Sequence, residues 1–324
     1  MGGRALGVRG SKTSSCRVSD RVLISGGTGL IGSRLVESLH ASRVPVRILS
    51  RSAPSGQQAP DANVERLQWD GIHLPDGALR ECAAVVHLAG EPVFGGPLTA
   101  NRRRRIASSR IDSTRAIAAA LRSAPSAERP ASFVCASAVG FYGSREDKVL
   151  DESAGPGSGF LSEVCQQWEA AAATAADALR VVSLRTGIVL ARDGGALPMM
   201  ALPFRFGVGG RMGNGRQWVP WIHIDDVVAL IRRVLHNDSL HGAVNVVSPQ
   251  PVRNAELSEA IARTLHRPCL LPVPALALRL ALGTLSDELL GSRRCTPQRM
   301  LDDRFEFAHT EIGSALAVEL ARNA

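Results

Sequence analysis

The segment Val22-Leu23-Ile24-Ser25-Gly26-Gly27-Thr28-Gly29-Leu30-Ile31-Gly32 limits what this chain can fold into more than any other. Its apolar start reads as a strand and residues 29–41 read as a helix, so the glycines occupy the turn between them. The spacing is G-x-G-x-x-G through Gly27, Gly29 and Gly32, and equally G-x-x-G-x-x-G through Gly26, Gly29 and Gly32. One glycine permits the tight turn, another lets the backbone approach a pyrophosphate, and the last lets the helix pack on the strand. The helix start offers unpaired N–H groups and a positive dipole end to phosphates. Gly26, Thr28, Gly29, Leu30, Ile31 and Gly32 are therefore the expected dinucleotide contacts.

The rest of the chain continues the same alternation. Residues 44–49, 64–69, 84–88, 132–136 and 180–184 read as strands, with helices within 99–122 and over 160–178. Near-continuous apolar strands alternating with helices predict an α/β fold, a Rossmann-type doubly wound parallel sheet covered on both faces. After residue 190 come a Gly/Pro-rich stretch (194–215), a strand at 218–222, a helix from Asp225, a strand at 243–247 and a helix from Asn254. The expected division is a disordered tail (1–20), a Rossmann domain (21–190) and a smaller, mainly helical C-terminal substrate region (191–324), partly interleaved with the sheet.

Charge narrows the function. The 324 residues hold 38 Lys+Arg against 30 Asp+Glu, a net charge of +8. Residues 1–20 carry Arg4, Arg9, Lys12 and Arg17 against Asp20, and Arg102, Arg103, Arg104 and Arg105 form one run. The remainder is almost neutral, which argues against a broad nucleic-acid-binding face. Base-stacking aromatics are scarce as well, with Tyr142 the single tyrosine. Six scattered cysteines show no metal-ligand spacing, so they read as free thiols and no metal site is expected. The most apolar late stretch, 270–285, is broken by Pro272, Pro274 and Arg279, and no membrane span is expected. The first twenty residues lack an apolar run. A cytoplasmic location is expected, although a basic, acid-poor leader also fits organellar import.

The end of the second strand bears on cofactor choice. An NAD binder usually places an acid there for the ribose 2′-hydroxyl. This chain has Ser50-Arg51-Ser52. A guanidinium can hold a 2′-phosphate bidentately, so Arg51, with Ser50 beside it, predicts NADP(H).

Joined to His87-Leu88-Ala89-Gly90 and to the segment from Ser137 through Tyr142-Gly143, the glycine loop resembles that of the extended short-chain dehydrogenases/reductases. The closer resemblance is to the NAD(P)-dependent epimerase-like family, in its nucleoside-diphosphate-sugar epimerase branch with a C-terminal domain of its own. Ser109-Arg110-Ile111-Asp112, Trp168-Glu169, Leu202-Pro203-Phe204-Arg205 and Pro220-Trp221-Ile222-His223 carry it. The resemblance implies that Leu88, Ala89 and Gly90 line the cofactor by backbone and that Arg110 lies beside its nicotinamide half. It adds Ser137 and Val189 to the cofactor set. Arg105, on the same helix as Arg110, is expected in the same groove, with the rest of the arginine run on the surface. A homodimer through the helices around 99–122 and 160–178 is a further implication.

Catalysis is where the chain departs from the superfamily. Its members use a serine and a Tyr-x-x-x-Lys pair, whose lysine lowers the tyrosine pKa for proton exchange. Counted from Trp168-Glu169, Leu161 stands in the tyrosine position, Cys165 in the lysine position and Ala138 in the serine position. With Lys148 the only lysine after Lys12, the pair cannot be rebuilt, and the catalytic residues stay unassigned. Tyr142 reads as a turn residue, Asp225 and Asp226 as helix-start caps and Cys165 as packing. Glu163 and Glu169 read as surface or hydrogen-bonding groups. The Gly-rich stretch from Phe204 to Trp221 fits either a substrate wrap or a structural crossover. Two functions follow: an NADP(H)-dependent oxidoreductase or epimerase-like enzyme on a small or nucleotide-sugar substrate, or a non-catalytic NADP(H)-binding sensor or scaffold. Nucleic-acid binding through four arginines would give too few phosphate contacts.

Overall fold

The computed structural model describes residues 21–52, 63–93, 96–283 and 285–320; the expected tail lies outside them. The first half runs β1 (Arg21–Ser25), α1 (Leu30–Ala41), β2 (Val46–Ser50), β3 (Val64–Gln68), β4 (Cys82–His87), α2 (Ala100–Ser123) and β5 (Ser132–Ala138). A 3-10 turn (Val139–Tyr142) then leads to β6 (Val149–Leu150), α3 (Phe160–Ala173), β7 (Arg180–Thr186) and β8 (Ile188–Leu190). Next come α4 (Leu197–Arg205), β9 (Trp218–Val219), β10 (Trp221–His223), α5 (Ile224–His236), β11 (Gly242–Val246) and β12 (Val252–Arg253). The chain ends in α6 (Asn254–Thr264), α7 (Ala275–Leu282), α8 (Leu285–Leu290), β13 (Arg294–Cys295), α9 (Gln298–Asp302) and α10 (Ile312–Leu320).

Seven strands form the central sheet in the order β11-β7-β5-β4-β1-β2-β3, and each of its pairings is parallel. The order reverses between β1 and β4, and at such a switch point the two connections leave on opposite faces and open a crevice at the strand C-termini. Side-chain alternation covers both faces. Ile24, Val86 and Val134 point to α1 and α5, where Leu35, Leu39, Leu230 and Ile231 bury them. Leu23, Val85 and Phe133 point the other way, under Ile117, Leu121 and Trp168 of α2 and α3. Beyond the sheet, Phe204, Trp221, Leu257, Ile261 and Leu316 form a separate core joining α4, α6 and α10.

Two expected elements come out differently. The strand anticipated at 218–222 is two strands broken at Pro220: β9 pairs antiparallel with β12 and β10 pairs parallel with β8. Proline has no N–H for a ladder, while its carbonyl still accepts from the Ile188 N–H at 2.8 Å. The helix anticipated to 178 ends at Ala173, because the Ala175 and Ala176 N–H groups turn back three residues, to the carbonyls of Ala172 and Ala173.

Candidate cofactor cleft

The glycine loop lies at the switch point, between β1 and α1. Gly26 has φ +74°, a left-handed conformation, and a Cβ there would lie 2.7 Å from the Ala89 nitrogen. A Cβ on Gly32 would lie 2.1 Å from the Gly26 carbonyl oxygen. Both positions therefore exclude any side chain. No side chain caps the start of α1, and its first turn contains no acid. The Gly29 N–H closes the loop on the Gly26 oxygen at 3.0 Å. Beyond it the helix start keeps its positive end uncapped by any side chain, which suits a pyrophosphate. Thr28 and Gly29 are exposed, Leu30 and Ile31 half-buried.

The neighbouring strand supplies the second wall. The Leu88 N–H donates to the Ser25 carbonyl at 3.0 Å, which brings Leu88, Ala89 and Gly90 beside the glycine loop. Beneath them, fully buried His87 joins two hydroxyls: Ser25 Oγ lies 2.5 Å from Nδ1 and Ser113 Oγ 3.0 Å from Nε2. Ser113 spends its proton on the Ser109 carbonyl at 2.7 Å. His87 Nε2–H therefore donates to Ser113, and Nδ1 accepts from Ser25. Burial, helped by the charge of Arg110, pulls the His87 pKa down to about 3, so the ring is a neutral strut.

Arg110 and Arg105 part company. The Arg110 guanidinium lies against Gly90, where an added Cβ would be 3.2 Å from Cζ. It donates to the carbonyls of Glu91 and Ile106 at 2.9 and 3.1 Å. Arg105, expected in the same groove, is largely exposed and its Nη2 lies 3.6 Å from Glu91 Oε1. The arginine run also does more than cover a surface. Arg102 donates to the carbonyls of Pro92 and Val93, and Arg103 to that of Leu98, so they tie down the connection before α2.

Arg51 and Ser52 are exposed at the end of β2, and Ser50 is half-buried. Val189 packs against the core on the α1 and α5 face of the sheet. Its carbonyl lies beside Gly195, whose Cβ, if present, would touch Leu30 at 3.0 Å. Leu30 and Val189, remote in sequence, thus flank the same glycine.

Between β5 and α3 stand the positions that the resemblance matches to the superfamily's proton-transfer residues. Leu161 and Cys165 pack against Gly140, and burial pushes the Cys165 thiol up to about 12. Ser137 turns inward, its Oγ donating to Glu169 Oε1 at 2.6 Å. Glu169, read above as a surface or hydrogen-bonding group, holds Arg185 through two bonds of 2.9 and 2.8 Å. Arg185 stacks on Phe141 at 3.5 Å and donates to the Tyr142 hydroxyl at 3.0 Å. That hydroxyl donates to Asn245 Oδ1 at 2.7 Å, and burial raises the Tyr142 pKa. Tyr142 is thereby locked as a structural residue. Sequence reasoning missed the Glu169–Arg185 pair because its members lie on α3 and β7; the Trp168-Glu169 dipeptide was the available signal.

The stretch from Phe204 to Trp221 is bonded to the segment before α7. Its Gly213 N–H donates to the Val273 carbonyl and its Arg211 carbonyl accepts from the Val273 N–H, both at 2.8 Å. At the start of α5 the cap is His223, whose Nδ1 accepts the Asp225 N–H at 3.2 Å. Asp225 does not cap the helix, and buried Asp226 accepts instead from the N–H groups of Ala308 and His309 at 2.7 and 3.0 Å. The imidazole outcompetes both acids because Ile224 starts the helix, leaving them inside its first turn.

Comparison with known proteins agrees with this geometry. Residues 22–247 match the NAD dependent epimerase/dehydratase family, and residues 273–318 match a domain of unknown function, DUF1731. The chain is 37% identical over 300 residues to an Arabidopsis thaliana protein described as an epimerase family protein SDR39U1 homolog, chloroplastic, covering 91% of this chain and 85% of that one. The Homo sapiens epimerase family protein SDR39U1 is 34% identical, with 91% and 98% covered. The crystal structure of human SDR39U1 (isoform 2) with NADPH superposes with a TM-score of 0.83 at 33% identity, over 94% of this chain and all of that one. A nucleoside-diphosphate sugar epimerase structure from Corynebacterium glutamicum gives a TM-score of 0.76 at 32% identity, over 94% of this chain and 59% of that one.

Proposed function

The chain belongs to the NAD dependent epimerase/dehydratase family, and from that premise we propose that it is an NADP(H)-dependent oxidoreductase or epimerase-like enzyme acting on a small or nucleotide-sugar substrate. The observation that carries the cofactor reading is the glycine loop, in which a Cβ at Gly26 or Gly32 would strike backbone and the start of α1 is left without a side-chain cap. The cradle suits a dinucleotide. The similar human structure contains NADPH, and Arg51 with Ser50 at the end of β2 offers the charge and hydroxyl that a 2′-phosphate requires.

When bound, the nicotinamide ring supplies hydride donation or acceptance. The chain's own residues do the holding. The N–H groups of Thr28, Leu30, Ile31 and Gly32 would hold the pyrophosphate, the Gly29 N–H being spent on the Gly26 carbonyl, and the backbone of Leu88 to Gly90 would flank the cofactor. Arg110, pinned to the Glu91 carbonyl, gives a fixed positive charge beside the nicotinamide half, close to where the superfamily carries its lysine. Ser137, with its hydroxyl committed to Glu169, contributes through its backbone. A homodimer through the outer faces of α2 and α3 is part of the same reading.

One observation favours a second reading. Leu161 and Cys165 fill the dyad positions and Tyr142 is locked in a buried network, as a non-catalytic NADP(H) sensor would tolerate. Deuterium-labelled NADPH separates the two. Label appearing in a product from a panel of carbonyl compounds and sugar nucleotides establishes the enzyme. Tight NADPH retention in native mass spectrometry, without label transfer to any member of the panel, leaves the sensor. Failure to retain NADPH would sink both.

A further inference from the structure

Three side chains on β10, α5 and the segment before α10 bring their donor atoms together: those of His223, Asp225 and His309 all lie within 4.8 Å of one another. His223 and Asp225 belong to the stretch matching the epimerase family, and His309 to the stretch matching the domain of unknown function. The group therefore sits across the junction of the two segments, where β10 passes into α5 and the chain approaches α10.

Hydrogen bonds decide which nitrogen of His223 is available. Glu319 on α10 is 6% exposed and has Oε1 3.0 Å from His223 Nε2. Its other oxygen accepts the Arg192 N–H at 2.5 Å, which anchors the carboxylate. A buried carboxylate facing one ring nitrogen draws the proton there, so Nε2–H donates to Glu319 and Nδ1 keeps its lone pair. That lone pair accepts the Asp225 N–H at a long 3.2 Å, the helix-cap bond that a bound cation would displace, and Nδ1 lies 3.5 Å from Asp225 Oδ2. His309 Nε2 lies 3.8 Å from the same oxygen. The two rings stack with centroids 3.7 Å apart and planes inclined by 33°, so a nitrogen of each stands on the side of Asp225.

The distances suit a small cation. Four-coordinate zinc, with bonds of about 2.0–2.2 Å to nitrogen and oxygen, separates its ligand atoms by roughly 3.3–3.6 Å. The His223–Asp225 edge of 3.5 Å falls in that range, and a turn of His309 out of the stack would aim its lone pair at the shared centre and shorten its 3.8 Å edge to Asp225. Asp225 is 67% and His309 17% exposed, which leaves an entry path from solvent. Glu319 behind His223 reproduces the carboxylate–histidine pairing that orients metal-bound imidazoles. Two imidazoles and one carboxylate form a borderline donor set, matched to zinc-like divalent ions rather than to magnesium or calcium.

We propose that His223, Asp225 and His309 form a binding site for one zinc-class divalent cation, with Glu319 as the positioning group, and that the ion fastens the C-terminal segment to the start of α5. This is a structural site, independent of the cofactor reading.

The test uses the full chain, stripped with a chelator, desalted and titrated with Zn²⁺ by calorimetry and by thermal unfolding. Saturable one-to-one binding with a raised unfolding midpoint is expected. His309→Ala and Asp225→Asn should each weaken binding at least about tenfold, and Glu319→Gln roughly 10–100-fold. Asp225→Asn changes an exposed side chain and keeps the fold, so the result stays readable if a buried variant misfolds. Substituting Co²⁺ should give visible bands of a nitrogen/oxygen site that disappear in His309→Ala. Absence of saturable Zn²⁺ binding, or binding equally tight in wild type, His309→Ala and Asp225→Asn, overturns the proposal.

Discussion

The two ends of the cleft are built on opposite principles. At the β1–α1 end, shape comes from the absence of side chains: Gly26 and Gly32 leave backbone in contact with backbone, and the start of α1 has no side-chain cap and no acid in its first turn. At the β5–α3 end, side chains fill and pair. Ser137, Glu169, Arg185, Tyr142 and Asn245 form one hydrogen-bonded chain, with Leu161 and Cys165 packed against Gly140, at the positions that the resemblance to the superfamily matches to its tyrosine and lysine. Under the proposed function the first would be the holding end for the dinucleotide, while the second, the relay end in the superfamily resemblance, is a strut between α3, β7 and β11.

If that contrast is right, damage to the two ends should appear in different measurements. The largest effect belongs to the strut. Glu169→Ala strands the buried Arg185 guanidinium and should cost about 3–5 kcal/mol of folding stability, read by chemical denaturation, with little change in NADPH affinity among folded molecules. A variant as stable as wild type would remove the idea that this end is structural.

The next effect is set by pH. His87 sits between the two ends with its pKa lowered to about 3. An unfolded histidine takes a proton below roughly pH 6.5 that the folded ring refuses. Stability is therefore full above that pH and falls, by about 1.4 kcal/mol per pH unit from this group alone, as pH drops toward 3. His87→Gln should flatten that part of the acid limb, and an unchanged slope would argue against a neutral buried ring.

Gly32→Ala tests the holding end. Its Cβ would lie 2.1 Å from the Gly26 oxygen, and an overpacked contact costs about 1–3 kcal/mol. NADPH affinity should fall roughly 10–100-fold, measured by fluorescence titration. The smallest effect sharpens cofactor choice. Arg51→Asp should shift the ratio of NADPH to NADH affinity about tenfold or more toward NADH, since a charged hydrogen bond is worth about 1.5–3 kcal/mol. An unaltered ratio would remove Arg51 as the discriminator.

The holding end was legible in the sequence because its chemistry is contiguous. A strand, four glycines and a helix lie within twenty residues, and each glycine acts on its own turn. The parallel sheet followed from strands and helices in alternation. The relay end was legible only as a loss: Phe160 to Cys165 contains no tyrosine and no lysine. The network at that end could not be read, since Glu169 meets Arg185 across a helix–strand contact and Tyr142 meets Asn245 on β11, 103 residues later in the chain. The same reason hides the stack of His223 and His309, for the two rings meet only after the C-terminal segment docks.

By itself, then, the amino-acid order determined the α/β architecture, the glycine loop, the arginine at the end of the second strand and the lack of tyrosine and lysine from Phe160 to Cys165. Each of these depends on backbone conformation or residue identity within one short stretch. Only the tertiary structure decided what the polar side chains do. Arg102 and Arg103 hold a connection, Arg110 underlies Gly90 while Arg105 faces solvent, and His223, not an aspartate, caps its helix. A side chain's charge, proton and partner are set by the distant elements that remove its water, and those are chosen by packing rather than by neighbours in sequence.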